Sequence, residues 1–190
     1  MITKSLLTIT LTALSLNVAS GALISLDLLG RAGIGLLAGN EVGATVGSVG
    51  RGGEIGTGIT FDNVSNLLSI NVGWGTANGF TNLTGAATAA HIHGATAGSA
   101  PTSFNENAGV LFGLDSGSFT LNTSAAGGSI VGSTTISASQ AGDLLAGRWY
   151  VNVHTATNGG GEIRGNIVVP EPTSVIMLGL LGALGAMRRR

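Results

Sequence analysis

The chain contains three histidines, and their spacing provides its main candidate chemistry. His91 and His93 are two residues apart on a predicted strand, so their side chains share one face while Ile92 points the other way. His154 comes near the end of a second predicted strand, on the face opposite that strand's apolar residues. If the two strands are neighbours, three imidazoles converge, which is a minimal site for zinc or copper. The alternative is that these side chains hydrogen-bond neighbouring loops and hold them in place.

Other chemistry has little support in the sequence. Glu162 or Asp115 could add a carboxylate to a metal site. There is no Gly-x-Ser-x-Gly nucleophile motif, and the absence of cysteine excludes disulfides and thiol chemistry. The segment 33–38 imitates a dinucleotide-binding loop, but the glycines after it exclude the helix that such a site needs. We therefore predict no catalytic residues, no enzymatic activity, and no cofactor other than copper or zinc.

Composition and patterning predict strands. Glycine accounts for 33 of 190 residues and charged residues for 9%, so few side chains suit the surface of a helix. Leu68, Ile70 and Val72 alternate with Ser69 and Asn71, which is the period of a half-buried strand. Similar alternation occurs at 23–29, 110–114, 149–155 and 163–167, and loops are expected at 86–90, 96–107 and 122–128. We predict one all-β domain over residues 23–168, a sandwich or barrel with helices only in the terminal segments.

The charge of this domain differs from that of the whole chain. Residues 23–168 contain four arginines, no lysine and eight acidic residues, a net charge of −4, whereas the whole chain carries −1. The difference arises because Lys4, three arginines and Glu171 lie in the terminal segments. A mildly acidic domain without a basic patch argues against nucleic acid as a partner.

The first 22 residues have the organisation of a secretory signal peptide. Lys4 is followed by a moderately apolar run over residues 6–18, and small residues occupy 19–22. We expect a signal helix that directs the chain through the Sec translocon, with cleavage after Ala22 or, alternatively, Ser20. A buried N-terminal helix of the folded domain is the competing interpretation.

The C-terminal segment combines three unlike elements in a fixed order. They are the tripeptide Pro170, Glu171 and Pro172, the uncharged run 175–187, and the basic residues Arg188, Arg189 and Arg190. As a helix the uncharged run would reach about 20 Å, less than the roughly 30 Å core of a bilayer. The order resembles the PEP-CTERM sorting signal of Gram-negative bacteria. This resemblance implies a short transmembrane helix within residues 169–190, transient anchoring in the inner membrane, and cutting by the membrane protease exosortase.

Several segments of the predicted domain share a pattern with one known module. They are Ala90-His91-Ile92-His93-Gly94, 109–114, 145–155 and 160–167, together with Gly-Asn-Glu-Val at 39–42. The most specific are Tyr-Val-Asn-Val-His-Thr and Gly-Gly-Glu-Ile-Arg-Gly. These segments resemble the CHRD domain, named for chordin and found in many secreted bacterial proteins. The chain departs from that pattern at Asn158, where the family usually has proline, and in a Gly-rich insertion at 43–53.

The same segments are similar to copper/zinc superoxide dismutase, a Greek-key β-barrel. His91, His93 and His154 match its copper ligands, and Arg164 matches its guiding arginine. Its bridging histidine, zinc loop and disulfide have no counterpart in this sequence. The resemblance implies a Greek-key sandwich or barrel of superoxide dismutase type for residues 23–168.

Together these features predict an exported protein of the cell envelope or extracellular matrix of a Gram-negative bacterium, with a non-enzymatic CHRD module. The alternative is a copper- or zinc-binding protein, or a redox enzyme, that uses the three histidines. A third interpretation is a module that binds a small ligand or an extracellular polysaccharide. Exposure of Trp74 or Tyr150 beside a groove would favour it.

Overall fold

The computed structural model describes residues 21–43 and 47–171. In these ranges the chain forms twelve strands, one α-helix and three short 3₁₀ turns. The strands are β1 (Leu23–Gly30), β2 (Gly33–Ile34), β3 (Leu36–Leu37), β4 (Arg51–Glu54), β5 (Ile59–Asp62), β6 (Leu67–Trp74), β7 (Ala87–His93), β8 (Val110–Gly113), β9 (Phe119–Asn122), β10 (Ser129–Thr135), β11 (Trp149–Thr155) and β12 (Ile163–Val168). The α-helix is α1 (Ala138–Leu145), and the 3₁₀ turns are Ala38–Asn40, Thr76–Asn78 and Thr102–Asn105.

The strands form one antiparallel sheet that curves around a single core. Its order is β9-β10-β6, then β5 in line with β4, then β1 in line with β3, and finally β12-β11-β7-β8. The short strand β2 pairs with the end of β1. Ile130 of β10 and Ile92 of β7 come from opposite parts of this order, yet both belong to one buried cluster. Trp74 and Trp149 are the largest side chains in that cluster. The polar face of β7 and β11 therefore has a well-packed hydrophobic core behind it.

The alternation expected in β6 is confirmed. Leu68, Ile70 and Val72 are buried, while Ser69 and Asn71 are partly exposed. β12 differs, because every one of its residues is buried. Its sequence still alternates, because the polar residues Arg164 and Asn166 occupy one of the two covered faces. Its polar residues must therefore find hydrogen-bond partners inside the protein.

The α-helix corrects the prediction that helices occur only in the terminal segments. The side chain of Ser137 accepts a hydrogen bond from the Gln140 backbone N–H at 3.2 Å, and the Gln140 side chain accepts one from the Ser137 N–H at 2.9 Å. This capping box satisfies two N–H groups at the start of α1, and Ala141 and Leu144 bury its inner face. The Ser-x-x-Gln pattern could have revealed the helix, but the low content of helix-forming residues outweighed it.

Strand β7 also corrects a prediction, because residues 86–90 were expected to form a loop. Ala87 and Ala90 instead pair with Thr155 and Val153 of β11. Alanine gives no clear alternating pattern, so the pairing with β11 decides the conformation of this segment.

The predicted signal helix and the apolar run 175–187 lie outside the described residues and stay predictions, as do the domain boundaries at 22 and 168. Within the part of the chain that the structure describes, no helix combines the length and apolar character needed to cross a membrane. The all-β class is confirmed, with α1 as a minor addition. The Greek-key arrangement of superoxide dismutase type is not established by the strand pairings and also stays a prediction.

Candidate three-histidine site

Strands β7 and β11 are adjacent, and this brings the three histidines together on one face of the sheet. Asn152 lies directly opposite His91, and Tyr150 lies opposite His93. His154 is two residues beyond Asn152, so it is a diagonal neighbour of His91, within reach of its long side chain. The condition that the sequence left open, that the two strands be neighbours, is met.

The imidazole nitrogens converge on a small volume. Nδ1 of His91 and Nε2 of His154 are 2.9 Å apart, and one ligand atom from each of the three histidines lies within 4.8 Å of the others. Each of the three nitrogens therefore lies within about 2.8 Å of a common centre, and a zinc–nitrogen bond is about 2.0–2.1 Å long. Among the described residues, this group of possible metal ligands contains the three histidines alone. Small side-chain movements would bring all three nitrogens to bonding distance.

Backbone carbonyls fix the outer side of two rings. Nδ1 of His93 lies 2.9 Å from the carbonyl oxygen of Ala108, and Nδ1 of His154 lies 3.0 Å from that of Gly159. A carbonyl oxygen can only accept, so in each ring Nδ1 carries the proton. In a neutral ring the lone pair is then on Nε2. A histidine that binds a metal ion commonly has the same outer contact.

Burial lowers the pKa of all three histidines from its usual value. For His91 the neighbouring imidazoles of His154 and His93 lower the pKa further, and Asp115 opposes them. For His93 and His154 the carbonyl contacts act to raise the pKa, but burial outweighs them. These shifts favour the neutral form of the rings, which is the form that binds metal ions.

A stack of side chains supports the site from below. The Tyr150 ring is parallel to that of His93, with centroids 4.7 Å apart. The Arg164 guanidinium lies 3.5 Å from the centre of the Tyr150 ring. The His93 ring is thus held between this stack and the carbonyl of Ala108. Such support limits the positions that its Nε2 can take.

Arg164 does not act as the solvent-facing guide that the resemblance to superoxide dismutase implied. It is fully buried, and its guanidinium donates to the side chains of Asn107 and Asn166 and to the carbonyls of Ser103 and Glu106. These contacts anchor the segment that follows β7. Arg164 is therefore a structural residue whose donors are engaged inside the protein.

The two carboxylates suggested by the sequence stay outside the site. Glu162 is fully buried and accepts hydrogen bonds from Thr84, Thr155 and Asn158. Asp115 is exposed and influences His91 only electrostatically. Neither belongs to the group of ligand atoms around the histidines.

Two polar residues beside the site were not assigned a role from the sequence. Oδ1 of Asn152 lies 3.1 Å from Nε2 of His93, and the Asn152 side chain lowers the pKa of the nearby Glu41 carboxyl, which burial raises. Oε2 of Glu41 is buried and has no hydrogen-bond partner among the described residues. Asn152 and His154 are two residues apart on one strand, so the sequence predicts that they share a face. It does not predict the contacts of Asn152 with His93 and Glu41.

The observation that would favour a polysaccharide-binding surface is not found. Trp74 is fully buried and donates its indole N–H to the carbonyl of Ser124 at 2.9 Å. Tyr150 is 2% exposed and lies beneath the His93 ring. Neither aromatic ring offers a platform to a ligand in solution.

Fold and site together define an all-β domain with a polar, histidine-lined face. Comparison with known families matches residues 36–167 to the CHRD domain and residues 168–190 to the PEP-CTERM protein-sorting motif. The chain belongs to the CHRD domain family and carries a PEP-CTERM motif after the domain, so the resemblances to these two families are confirmed. The motif implies export to the cell envelope and processing by exosortase, a membrane protease. No curated protein and no solved structure matches the chain.

Proposed function

We propose that this CHRD protein acts at the cell surface or in the extracellular matrix of a Gram-negative bacterium, without catalysing a reaction. The observation that carries the proposal is the direct succession of the two matches. The CHRD domain ends at residue 167 and the sorting motif begins at 168. The folded domain is therefore the cargo of the sorting reaction.

The junction between cargo and signal is suited to a protease. β12 ends at Val168, and Val169 and Glu171 are exposed. A protease could reach the Pro-Glu-Pro segment without pulling a strand out of the sheet. In this proposal the Sec translocon exports the chain, residues 1–22 are removed, and the segment 175–187 stays in the inner membrane until exosortase acts.

A non-enzymatic role is supported by the state of the buried ionisable groups. Glu162 and Arg164 each make several hydrogen bonds inside the protein. A group held in this way is poorly placed to exchange protons with a substrate. The domain thus fits a structural or adhesive task better than acid–base catalysis.

The test follows the chain to its final location. The full-length protein is expressed in a Gram-negative host that has an exosortase, with and without the double substitution Glu171→Ala/Pro172→Ala. Cell fractionation and surface proteolysis report the location, and mass spectrometry reports cleavage. We expect the parent chain to be cut and released from the inner membrane. The variant should stay uncut and membrane-associated, because the apolar run is kept but the tripeptide is lost.

Thr173→Ser is the matched control, since it changes a neighbouring residue and leaves the tripeptide intact. It should behave like the parent chain. Identical mass and location for the parent chain and the double variant would contradict sorting through this motif. Loss of display in a host that lacks exosortase would support it independently.

A further inference from the structure

We propose that Nδ1 of His91, Nε2 of His93 and Nε2 of His154 bind one divalent transition-metal ion of the zinc and copper class. The site lies on the polar face of β7 and β11, and it is separate from the sorting segment. It adds a ligand-binding property to a domain whose proposed function does not require one. The argument rests on which nitrogen of each ring is available and on how closely these nitrogens approach one another.

The backbone selects the available nitrogen in two of the rings. Nδ1 of His93 and of His154 each donate to a carbonyl oxygen, at 2.9 and 3.0 Å. Their Nε2 atoms are therefore the possible ligands. In His91 it is Nδ1 that faces the other rings, because this atom lies 2.9 Å from Nε2 of His154. One tautomer of each neutral ring thus presents three lone pairs to the same place.

A purely structural cluster explains only half of these contacts. Hydrogen bonds to neighbouring loops account for the outer nitrogens of His93 and His154, which reach Ala108 and Gly159. The inner nitrogens of His91 and His154 bond only to each other. Nε2 of His93 faces the side-chain oxygen of Asn152 at 3.1 Å, where two electron-rich atoms meet if the ring is neutral. A cation between the three rings satisfies the electron pairs that hydrogen bonding leaves over.

Binding requires little rearrangement. The proton on Nδ1 of His91 moves to Nε2 of the same ring through solvent, and the 2.9 Å hydrogen bond to His154 is replaced by two metal bonds. Ligand atoms that already lie within 4.8 Å of one another need to shift by well under 1 Å on average to reach bonds of about 2.0–2.1 Å. The strands themselves can stay fixed, because their opposite face is part of the hydrophobic core.

The class of ion follows from the ligands. Three neutral imidazoles suit zinc and copper and are poor ligands for magnesium or calcium, which prefer oxygen. With three protein ligands, a fourth position is left for water or another small ligand. Oδ1 of Asn152 lies beside the His93 side of the site, 3.1 Å from Nε2 of His93.

The experiment uses the full-length chain, purified in detergent without a polyhistidine tag and stripped with EDTA. Separate samples receive ZnCl2, CuCl2 or MgCl2, pass through gel filtration, and are measured by elemental analysis. We expect one equivalent of zinc or copper per chain and no retained magnesium. The zinc and copper arms show which of the two ions is preferred.

His91→Ala/His93→Ala should lower the retained metal to about a tenth or less of the parent value, because one imidazole cannot hold the ion alone. Asp115→Asn is the matched control, since it changes a charge near His91 without removing a ligand atom. It should retain the full equivalent. Circular dichroism checks that each variant is folded.

A second measurement needs no variant. Long-range ¹H–¹⁵N NMR spectra of the histidine rings should show all three rings changing together when zinc is added, with Nδ1 of His91 and Nε2 of the other two as the affected atoms. Absence of stoichiometric zinc and copper would overturn the proposal. So would equal retention by the parent chain and the double variant, or binding that leaves the three rings unchanged.

Discussion

His154 and Thr155 are neighbours in β11, yet their side chains enter two polar clusters of opposite character. Thr155 donates to Glu162, whose carboxylate also accepts hydrogen bonds from the backbone N–H and hydroxyl of Thr84 and from the amide of Asn158. His154 instead faces His91 across the strand pair, with one imidazole nitrogen pointing at another. The pairing of β11 with β7 shifts register between His154 and Thr155, at the point where the two clusters divide.

The difference lies in the balance of donors and acceptors. Four donors surround one anion at Glu162, so that cluster is complete. Around the histidines the neighbouring protein atoms are mostly acceptors, namely the carbonyls of Ala108 and Gly159 and the side-chain oxygen of Asn152. The Glu162 cluster is also the more deeply buried, since Glu162 is fully buried and the three histidines are partly exposed. The balance of donors and acceptors fits a role in stability for the first cluster and the proposed metal binding for the second.

The largest effect should come from breaking the complete cluster. Glu162→Ala leaves four donors without their acceptor, and buried groups of this kind cost about 3 kcal/mol or more in total when left unsatisfied. We expect the free energy of unfolding to fall by about that amount. Urea unfolding followed by tryptophan fluorescence measures it, since Trp74 and Trp149 are both buried.

The comparison variant is His91→Ala in metal-free protein. It removes one neutral hydrogen bond from a half-buried side chain, which should cost about 1 kcal/mol or less. Equal losses in the two variants would remove the distinction between the clusters. A loss for His91→Ala that appears only when zinc or copper is present would strengthen it, because a ligand stabilises only the state that binds it.

The sequence predicted the histidine cluster better than the Glu162 cluster. The spacing of His91 and His93 places them on one face, since side chains alternate along a strand. That His154 joins them depends on the pairing of β7 with β11, which single-strand patterns do not encode. Glu162 was considered as a metal ligand, although it lies in the other cluster. Its position relative to His154 depends on an irregularity in strand pairing and on a turn, and the sequence predicts neither.

The fold shows the same limit. Alternation in β6 was readable because its apolar residues are large. The alanines at the start of β7 carried no such signal, and the capping box of α1 was a short motif within a segment poor in helix-forming residues. The two resemblances, to the CHRD domain and to the sorting signal, needed only local motifs and were confirmed.

The pH dependence of stability offers an intermediate effect. Burial alone would raise the pKa of Glu162, but the hydrogen bonds from Thr84, Thr155 and Asn158 outweigh it and lower the pKa below its usual value. A carboxyl whose pKa is lower in the folded than in the unfolded state stabilises the fold above the unfolded pKa. That contribution is lost as the pH falls through the folded pKa.

The stability difference between the parent chain and Glu162→Gln should therefore be constant above about pH 5 and shrink as the pH falls further. Urea unfolding at several pH values measures this difference directly, and subtraction cancels the titration of the other carboxyls. A difference that grows toward low pH would mean that burial dominates at Glu162. The cluster would then be incomplete after all.

The most specific change to the Glu162 cluster is Thr84→Val, which keeps the shape of the side chain and removes its hydroxyl. The Thr84 hydroxyl lies 2.5 Å from Oε2 of Glu162, while the Thr84 N–H keeps its own 2.8 Å bond to Oε1. One charge-assisted hydrogen bond is lost, so we expect a cost of about 1.5 kcal/mol in urea unfolding. Thr88→Val, on an exposed position of β7, is the control and should cost less than about 0.5 kcal/mol.

A double-mutant cycle then tests the contact between Thr84 and Glu162, and metal retention by Thr84→Val tests whether the two clusters are separate. Thr84→Val should cost almost nothing in the Glu162→Ala background, because the acceptor of its hydroxyl is already gone. The same substitution should leave zinc or copper stoichiometry unchanged. The Thr84 hydroxyl bonds to Glu162 and Thr155 and to none of the three imidazoles. Loss of metal on Thr84→Val would show that the two clusters act as one, with the irregular pairing beside His154 and Thr155 coupling the anion to the histidines instead of separating them.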